Sequence, residues 1–293
     1  MSKLAESIAT GKFVVTAELG PPKGTDVTHL LEMAELVRDH VDAVNVTDQQ
    51  SSVMMLGSLT VCHLLHQRRI EPVFQVTCRD RNRIALQSDL LSAAVLGVEN
   101  VLCLTGDYVT LGDHPQAKPV FDLDSVTLLR TVAALQEGHD LAGKPLRGVP
   151  TFFPGAVVSP EANPLGPQIA KMEKKVAAGA RFFQTQAVYD PARFEAFVRQ
   201  VEYLNVPILV GIILLKSAGM ARFMNSNVAG VNVPDALIEE IGGASKPDRP
   251  AKAVEIGARL IREMKEICQG VHIMTLGWEQ HVPQLLEEAR LGQ

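Results

Sequence analysis

Eight short apolar runs, rich in β-branched residues, alternate with segments of helical period along this chain, and that alternation restricts the fold more than any other feature. The runs fall at 13–19, 43–48, 72–78, 100–107, 148–153, within 180–190, at 208–215 and at 271–276. Helical periodicity occupies 26–40, 56–68, 83–96 and 124–135, a segment ending at Gly179, then 193–203, 218–225, 250–268 and 279–291. Strands that alternate with helices in this number predict a closed parallel (β/α)8 barrel, with an open doubly wound sheet as the alternative. A barrel commonly needs about 250 residues, so all of 1–293 is read as one barrel domain. Residues 242–250 read as a surface loop, since too little chain follows them to fold alone.

Composition narrows the classes of function. The net charge is −5 with acids and bases interspersed, which argues against a nucleic-acid partner. Apolar runs such as Val206–Leu215 are too short and interrupted to span a membrane, and the first residues lack the apolar core of a signal peptide. Cys62, Cys78, Cys103 and Cys268 form no C-x-x-C pair, so reduced, buried thiols and a cytoplasmic location are expected. The eight histidines show neither H-x-H nor H-E-x-x-H spacing, and no glycine-rich dinucleotide or phosphate loop follows a strand.

In a barrel the carboxyl ends of the strands share one mouth. Glu18, Thr47, Asp48, Gln75, Thr77, Thr105, Asp107, Gln184, Gln186 and Thr275 would gather there. Gln184 and Gln186 are two apart and should face the same side. A carboxylate at a buried strand end needs a partner or water. Asp48 reads as a cap of the next turn, whereas Glu18 precedes Gly20-Pro-Pro22, which opens no helix. Lys171, Lys174 and Lys175 could neutralise a phosphate or form a solvated helix face.

Thr16-Ala-Glu-Leu-Gly-Pro-Pro22, Leu104-Thr-Gly-Asp107, Lys174-Lys-Val-Ala-Ala-Gly-Ala180, Thr185-Gln186 with Tyr189-Asp190, and Gly270-Val-His-Ile-Met-Thr-Leu276 resemble, in this order, the motifs of the methylenetetrahydrofolate reductase family. The resemblance implies a flavin-containing (β/α)8 barrel that interconverts 5,10-methylenetetrahydrofolate and 5-methyltetrahydrofolate by ping-pong hydride transfer. It implies Glu18 as the general acid that protonates the leaving nitrogen of the folate, Asp107 beside both flavin and folate, and Gln186 as a pterin contact. Thr47, Gln75, Thr105, Gly106, Asp107, Phe121, Asp122, Phe153, Ser159, Lys174 and Lys175 match the family's flavin contacts, with FAD expected ahead of FMN.

Gln75 and Thr105 stand where many members carry His and Arg, which should remove positive charge near the flavin. Ala218 stands where a stacking phenylalanine is usual, so the electron donor is either NAD(P)H or a partner subunit. The ending Gly277-Trp278-Glu279 with Pro283 looks like the branch of anaerobes, which implies such a partner and a homo- or hetero-oligomer. Two other readings stay open: a pterin-binding methyltransferase barrel without flavin, and a flavin electron-relay subunit of a larger complex.

Overall fold

The computed structural model describes residues 1–291. Eight parallel strands close into a barrel in sequence order: β1 (Val14–Leu19), β2 (Ala43–Val46), β3 (Pro72–Thr77), β4 (Asn100–Leu104), β5 (Phe153–Val158), β6 (Phe182–Ala187), β7 (Ile208–Ile213) and β8 (Gly270–Met274). β8 pairs with β1 through Thr16 opposite His272, so no sheet edge is left open. The helices are α1 (Lys3–Ala9), α2 (Thr28–Val37), α3 (Ser58–Gln67), α4 (Arg83–Val95), α5 (Ser125–Gln136), α6 (Gly166–Ala177), α7 (Pro191–Val201), α8 (Ala218–Asn227), α9 (Asp235–Gly243), α10 (Arg249–Met264) and α11 (Val282–Glu288). Among the described residues no helix is long and apolar enough to cross a membrane.

The core has two parts. The outer one lies between sheet and helices, where alternate strand residues such as Val44, Phe74, Val101, Phe183, Val210 and Ile273 are buried against the helices' apolar stripes. A smaller cluster of Val14, Ala43, Val73, Leu102, Phe182 and Leu209 fills the lower barrel, and Leu4 of α1 closes it from beneath. Ser2 caps α1 by accepting from the Ala5 N–H at 3.2 Å, and its hydroxyl donates to Asn100 Oδ1 at 2.6 Å. No periodicity in those few residues foretells α1; its burial under the barrel stabilises it.

The fourth strand ends at Leu104, short of the expected Asp107, and helix α9 is not among the helical segments read from the sequence. Two further departures bear on packing. The fifth strand, expected at 148–153, lies at Phe153–Val158. Pro154-Gly155 reads locally as a turn, yet Gly155 sits inside the barrel because a Cβ there would overlap the Phe182 ring. Phe153 stacks on Phe182 with centroids 5.2 Å apart. Secondly, α9 takes up Gly242 and Gly243, which the sequence suggests as part of a loop. Its Leu237, Ile238 and Ile241 bury against the core, and this packing outweighs the two terminal glycines.

Candidate active site

Above the apolar floor the barrel interior turns polar, whereas barrels of this kind usually fill their layers with branched apolar side chains. Period-2 alternation from Val14, Ala43 and Phe182 points Thr16, Asn45 and Gln184 inward, and His272 joins them from β8. All four are buried. Asn45 and Gln184 form a reciprocal amide pair, with Nδ2 to Oε1 at 2.8 Å and Nε2 to Oδ1 at 3.1 Å. The Thr16 hydroxyl lies 2.9 Å, and Gln184 Nε2 3.3 Å, from His272 Nδ1. With both presenting hydrogens to Nδ1, the neutral ring is assigned its proton on Nε2. That nitrogen stands 3.7 Å from Glu18 Oε2. His272 thus links the polar layer to the mouth, a role invisible to a search for metal-ligand spacing.

Glu18, two residues above Thr16 on the same face of β1, is 7% exposed. Its Oε1 accepts from Gln50 Nε2 at 3.1 Å and its Oε2 from Gln75 Nε2 at 3.4 Å. The Thr275 hydroxyl lies 3.0 Å from the Glu18 carbonyl and 2.7 Å from the carboxylate of Glu279. Glu18, Gln50, Thr275 and Glu279 border a cavity of about 280 Å³ whose other walls include Leu19, Pro22, Leu30 and Met33.

Gln50 also borders a second cavity, of about 300 Å³, on its other side. Thr47, Gln75, Thr105, Gly106, Asp107, Ser159 and Lys175 line it, all of them site residues expected from the sequence. Gly106 has φ +96°, and a Cβ at this position would come within 3.1 Å of Thr77 and Arg79, so this turn demands glycine. Asp107, just beyond it, is exposed.

Lys175 is 4% exposed, and its Nζ donates to the Val157 carbonyl at 2.5 Å. Burial, reinforced by the charge of Lys171, pulls its pKa down to about 8. Lys171 and Gln168 lie on the same face of α6, four and seven residues before Lys175, and both line the cavity. Arg79, 1% exposed, contributes a third cation to the wall. Gln75 and Thr105 both line the cavity as uncharged side chains, and Arg79, two residues beyond the end of β3, stands in the same wall with its guanidinium paired to Asp80 at 2.7 Å.

Other expected site residues fall elsewhere. Phe153 begins β5 at the opposite end of the barrel, so its assignment as a cofactor contact is corrected with the strand boundary. Lys174 is exposed, turned away from the face that Lys171 and Lys175 share. Asp122 is exposed and paired with Arg83 at 2.8 Å, which holds its carboxyl down at about 2. Phe121 packs edge-on against Tyr108 at 6.1 Å. None of these four lines the cavity.

Gln186 is half-buried at the end of β6, and its Oε1 accepts from the Ala187 N–H at 3.0 Å. The register shifts between Gln184 and Ala187, so the two-residue spacing of the glutamines does not carry the regular alternation expected of it. Asp48 does not cap a turn. It is 4% exposed, and its Oδ2 accepts from the Thr77 N–H at 2.8 Å and hydroxyl at 3.0 Å while pairing with Arg81, which ties β2 to β3.

A closed (β/α)8 barrel with a polar mouth, a buried carboxyl and a cation-lined cavity defines the class as a barrel of enzyme type. Residues 3–290 match the family model of methylenetetrahydrofolate reductase, and the chain belongs to that family. Methylenetetrahydrofolate reductase 2 of Schizosaccharomyces pombe is 27% identical over 265 residues, covering 80% of this chain and 38% of that protein. A probable NADH-type reductase of Oryza sativa subsp. japonica is 24% identical over 301 residues, covering 96% and 48%. The chain thus spans less than half the length of these relatives. Among solved structures, a Clostridium thermocellum protein that binds two copies of 5-methyl-5,6,7,8-tetrahydrofolic acid shares the fold. Its TM-score is 0.64 at 16% identity, with 99% of this chain and 98% of that one covered.

Proposed function

We propose that the chain is a flavin-dependent reductase that interconverts 5,10-methylenetetrahydrofolate and 5-methyltetrahydrofolate. The observation that carries this reading is the placement of a buried carboxyl, Glu18, across Gln50 and Gln75 from a cavity lined by Lys175, Lys171 and Arg79.

The donor set of that cavity fits a phosphorylated cofactor. Lys175 has three N–H donors and, among the described residues, one acceptor, the Val157 carbonyl. Keeping such a lysine buried is costly without an anion, and a flavin phosphate would supply one. Lys171 and Lys175 would hold that phosphate, and the apolar walls at Leu104, Val157 and Val158 would receive the ring. When bound, the flavin supplies the hydride, taken up from a reductant in one half-reaction and given to the folate one-carbon unit in the next.

The chain's own part is to bind, orient and move a proton. The exposed Asp107 carboxylate can accept from the amino and ring N–H groups of a pterin. Gln186, with its Oε1 engaged by Ala187, keeps its amide N–H groups for the pterin's acceptors. In the reducing direction the five-membered ring of the substrate must open before its one-carbon unit can accept hydride. Glu18 would deliver the proton to the departing nitrogen, and His272 Nε2–H would face the carboxylate left behind.

The absorption spectrum of the purified protein tests the reading. A yellow protein with bound flavin supports it, whereas a colourless protein that binds methyltetrahydrofolate would favour a methyltransferase. Rapid mixing with NADH, NADPH and an artificial donor separates a nicotinamide reductant from a partner subunit. A flavoprotein that no folate bleaches would be an electron relay.

A further inference from the structure

The wall between the two cavities is a strained piece of chain. Gln49, Ser51 and Ser52 have φ of 51°, 54° and 61°, a left-handed conformation unfavourable for residues with a Cβ. Such a segment persists only where its surroundings hold it. The holder is Arg79, whose buried guanidinium is anchored by Asp80 at 2.7 Å. Its Nη2 donates to the Gln49 carbonyl at 3.3 Å and its Nη1 to Ser52 Oγ at 3.0 Å. The Ser52 hydroxyl lies 2.9 Å from the Tyr108 carbonyl and 3.3 Å from that of Asp107. Gly112 presses on Ser52 so closely that a side chain there would collide with the Ser52 backbone. Between these fixed points, Gln50 extends its amide to Glu18.

We propose that Gln50 orients the Glu18 carboxyl for proton transfer, and that Arg79 is the positioning residue that holds Gln50 on one side of the wall and Asp107 on the other. The proposal rests on the reading of Glu18 as the proton donor. An amide suits this task because it offers a donor at one atom and an acceptor at the other. It can donate to the carboxylate and, after rotation, accept from the carboxylic acid, and so keep the group in place before and after the proton moves. The bond to the carboxylate, the one seen here, is the stronger of the two because its acceptor is charged, but its bias toward that state is smaller than a fixed cation's. Gln50 is itself exposed, so it stands at the surface that an arriving substrate meets.

The test uses the flavin-loaded protein and the variants Gln50→Leu, Gln50→Lys, Arg79→Lys and Glu18→Gln, with the folate half-reaction followed across pH. Gln50→Leu should slow it by about tenfold to a hundredfold, the range for losing a hydrogen bond to a charged group. Its pH profile should move to higher pH, because a donor to the carboxylate is gone. Gln50→Lys should move the profile to lower pH. Arg79→Lys, which keeps the charge but loses the fork, should slow the reaction and also raise the folate KM through Asp107.

Opposite displacements in the two Gln50 variants are not what a merely structural role would give. The infrared carboxyl band that Glu18→Gln removes should move in the same opposite senses in the flavin-free protein. If Glu18→Gln abolishes the half-reaction while both Gln50 variants keep the parent's rate and profile, this proposal fails and the reading of Glu18 stands. If Glu18→Gln leaves the rate intact, the underlying reading fails instead.

Discussion

Lys175→Met should make the flavin-free protein more stable and its hold on flavin weaker. The lysine is 4% exposed, and its pKa falls from 10.5 to about 8, chiefly through burial. At pH 7 that difference corresponds to about 3 kcal/mol of destabilisation. Methionine has a similar reach without the charge, but it leaves the Val157 carbonyl without its donor, which costs about 1–2 kcal/mol. The net expectation is a gain of about 1–2 kcal/mol, or a few degrees in melting temperature for a chain of this size.

The pH dependence carries a sign. Between pH 8 and 10.5 the unfolded chain binds more protons than the folded one, so the flavin-free parent should gain stability as pH rises through that window. Lys175→Met should lack this rise. Calorimetry of both proteins at pH 7 and pH 10, with flavin-content measurements on the purified holoproteins, checks each part. A variant that melts lower than the parent at pH 7, or that shows the parent's rise, would refute the view that Lys175 is a buried charge awaiting an anion.

Buried charge and close packing elsewhere in the barrel set three more outcomes. Glu161 is 7% exposed, and its carboxyl is pushed up to about 7 by burial, against the counter-pull of Arg193 at 3.8 Å. Its folded state favours the protonated form, so stability is lost as pH rises from about 4.5 through 7. Glu161→Gln should match the parent near pH 4 and exceed it by about 2–3 kcal/mol above pH 7 in melts across pH. Gly155→Ala should destabilise by about 1–3 kcal/mol through overlap with Phe182, and adding Phe182→Leu should recover much of the loss in urea titrations. Asp48→Asn should cost about 3 kcal/mol or more by the same assay, since it weakens a buried ion pair and leaves Arg81 with Asp89 alone.

The barrel is legible in the sequence because its signal is repeated eight times and tolerates an error in any one strand. Phe153 shows the limit: Pro154-Gly155 is turn chemistry locally, and only the Phe182 ring across the barrel explains why a glycine stands inside a strand. Inward polar residues obey the two-residue period along β3, where Gln75 and Thr77 continue to Arg79. A strand reading that stops at Cys78 misses the buried cation one step further. Lys171 and Lys175 likewise carry their signal in four-residue spacing, which selects them over the adjacent Lys174. The strained wall at Gln49–Ser52 has no such sign, because a left-handed backbone at glutamine and serine is imposed by Arg79 and Gly112 from other parts of the chain.

The most direct measurement is anaerobic addition of 5-methyltetrahydrofolate to the purified flavoprotein and to Glu18→Gln at equal flavin content. The account predicts that the visible flavin band of the parent bleaches while that of the variant stays yellow. Equal bleaching in both proteins, or a parent that carries no flavin at all, would contradict it.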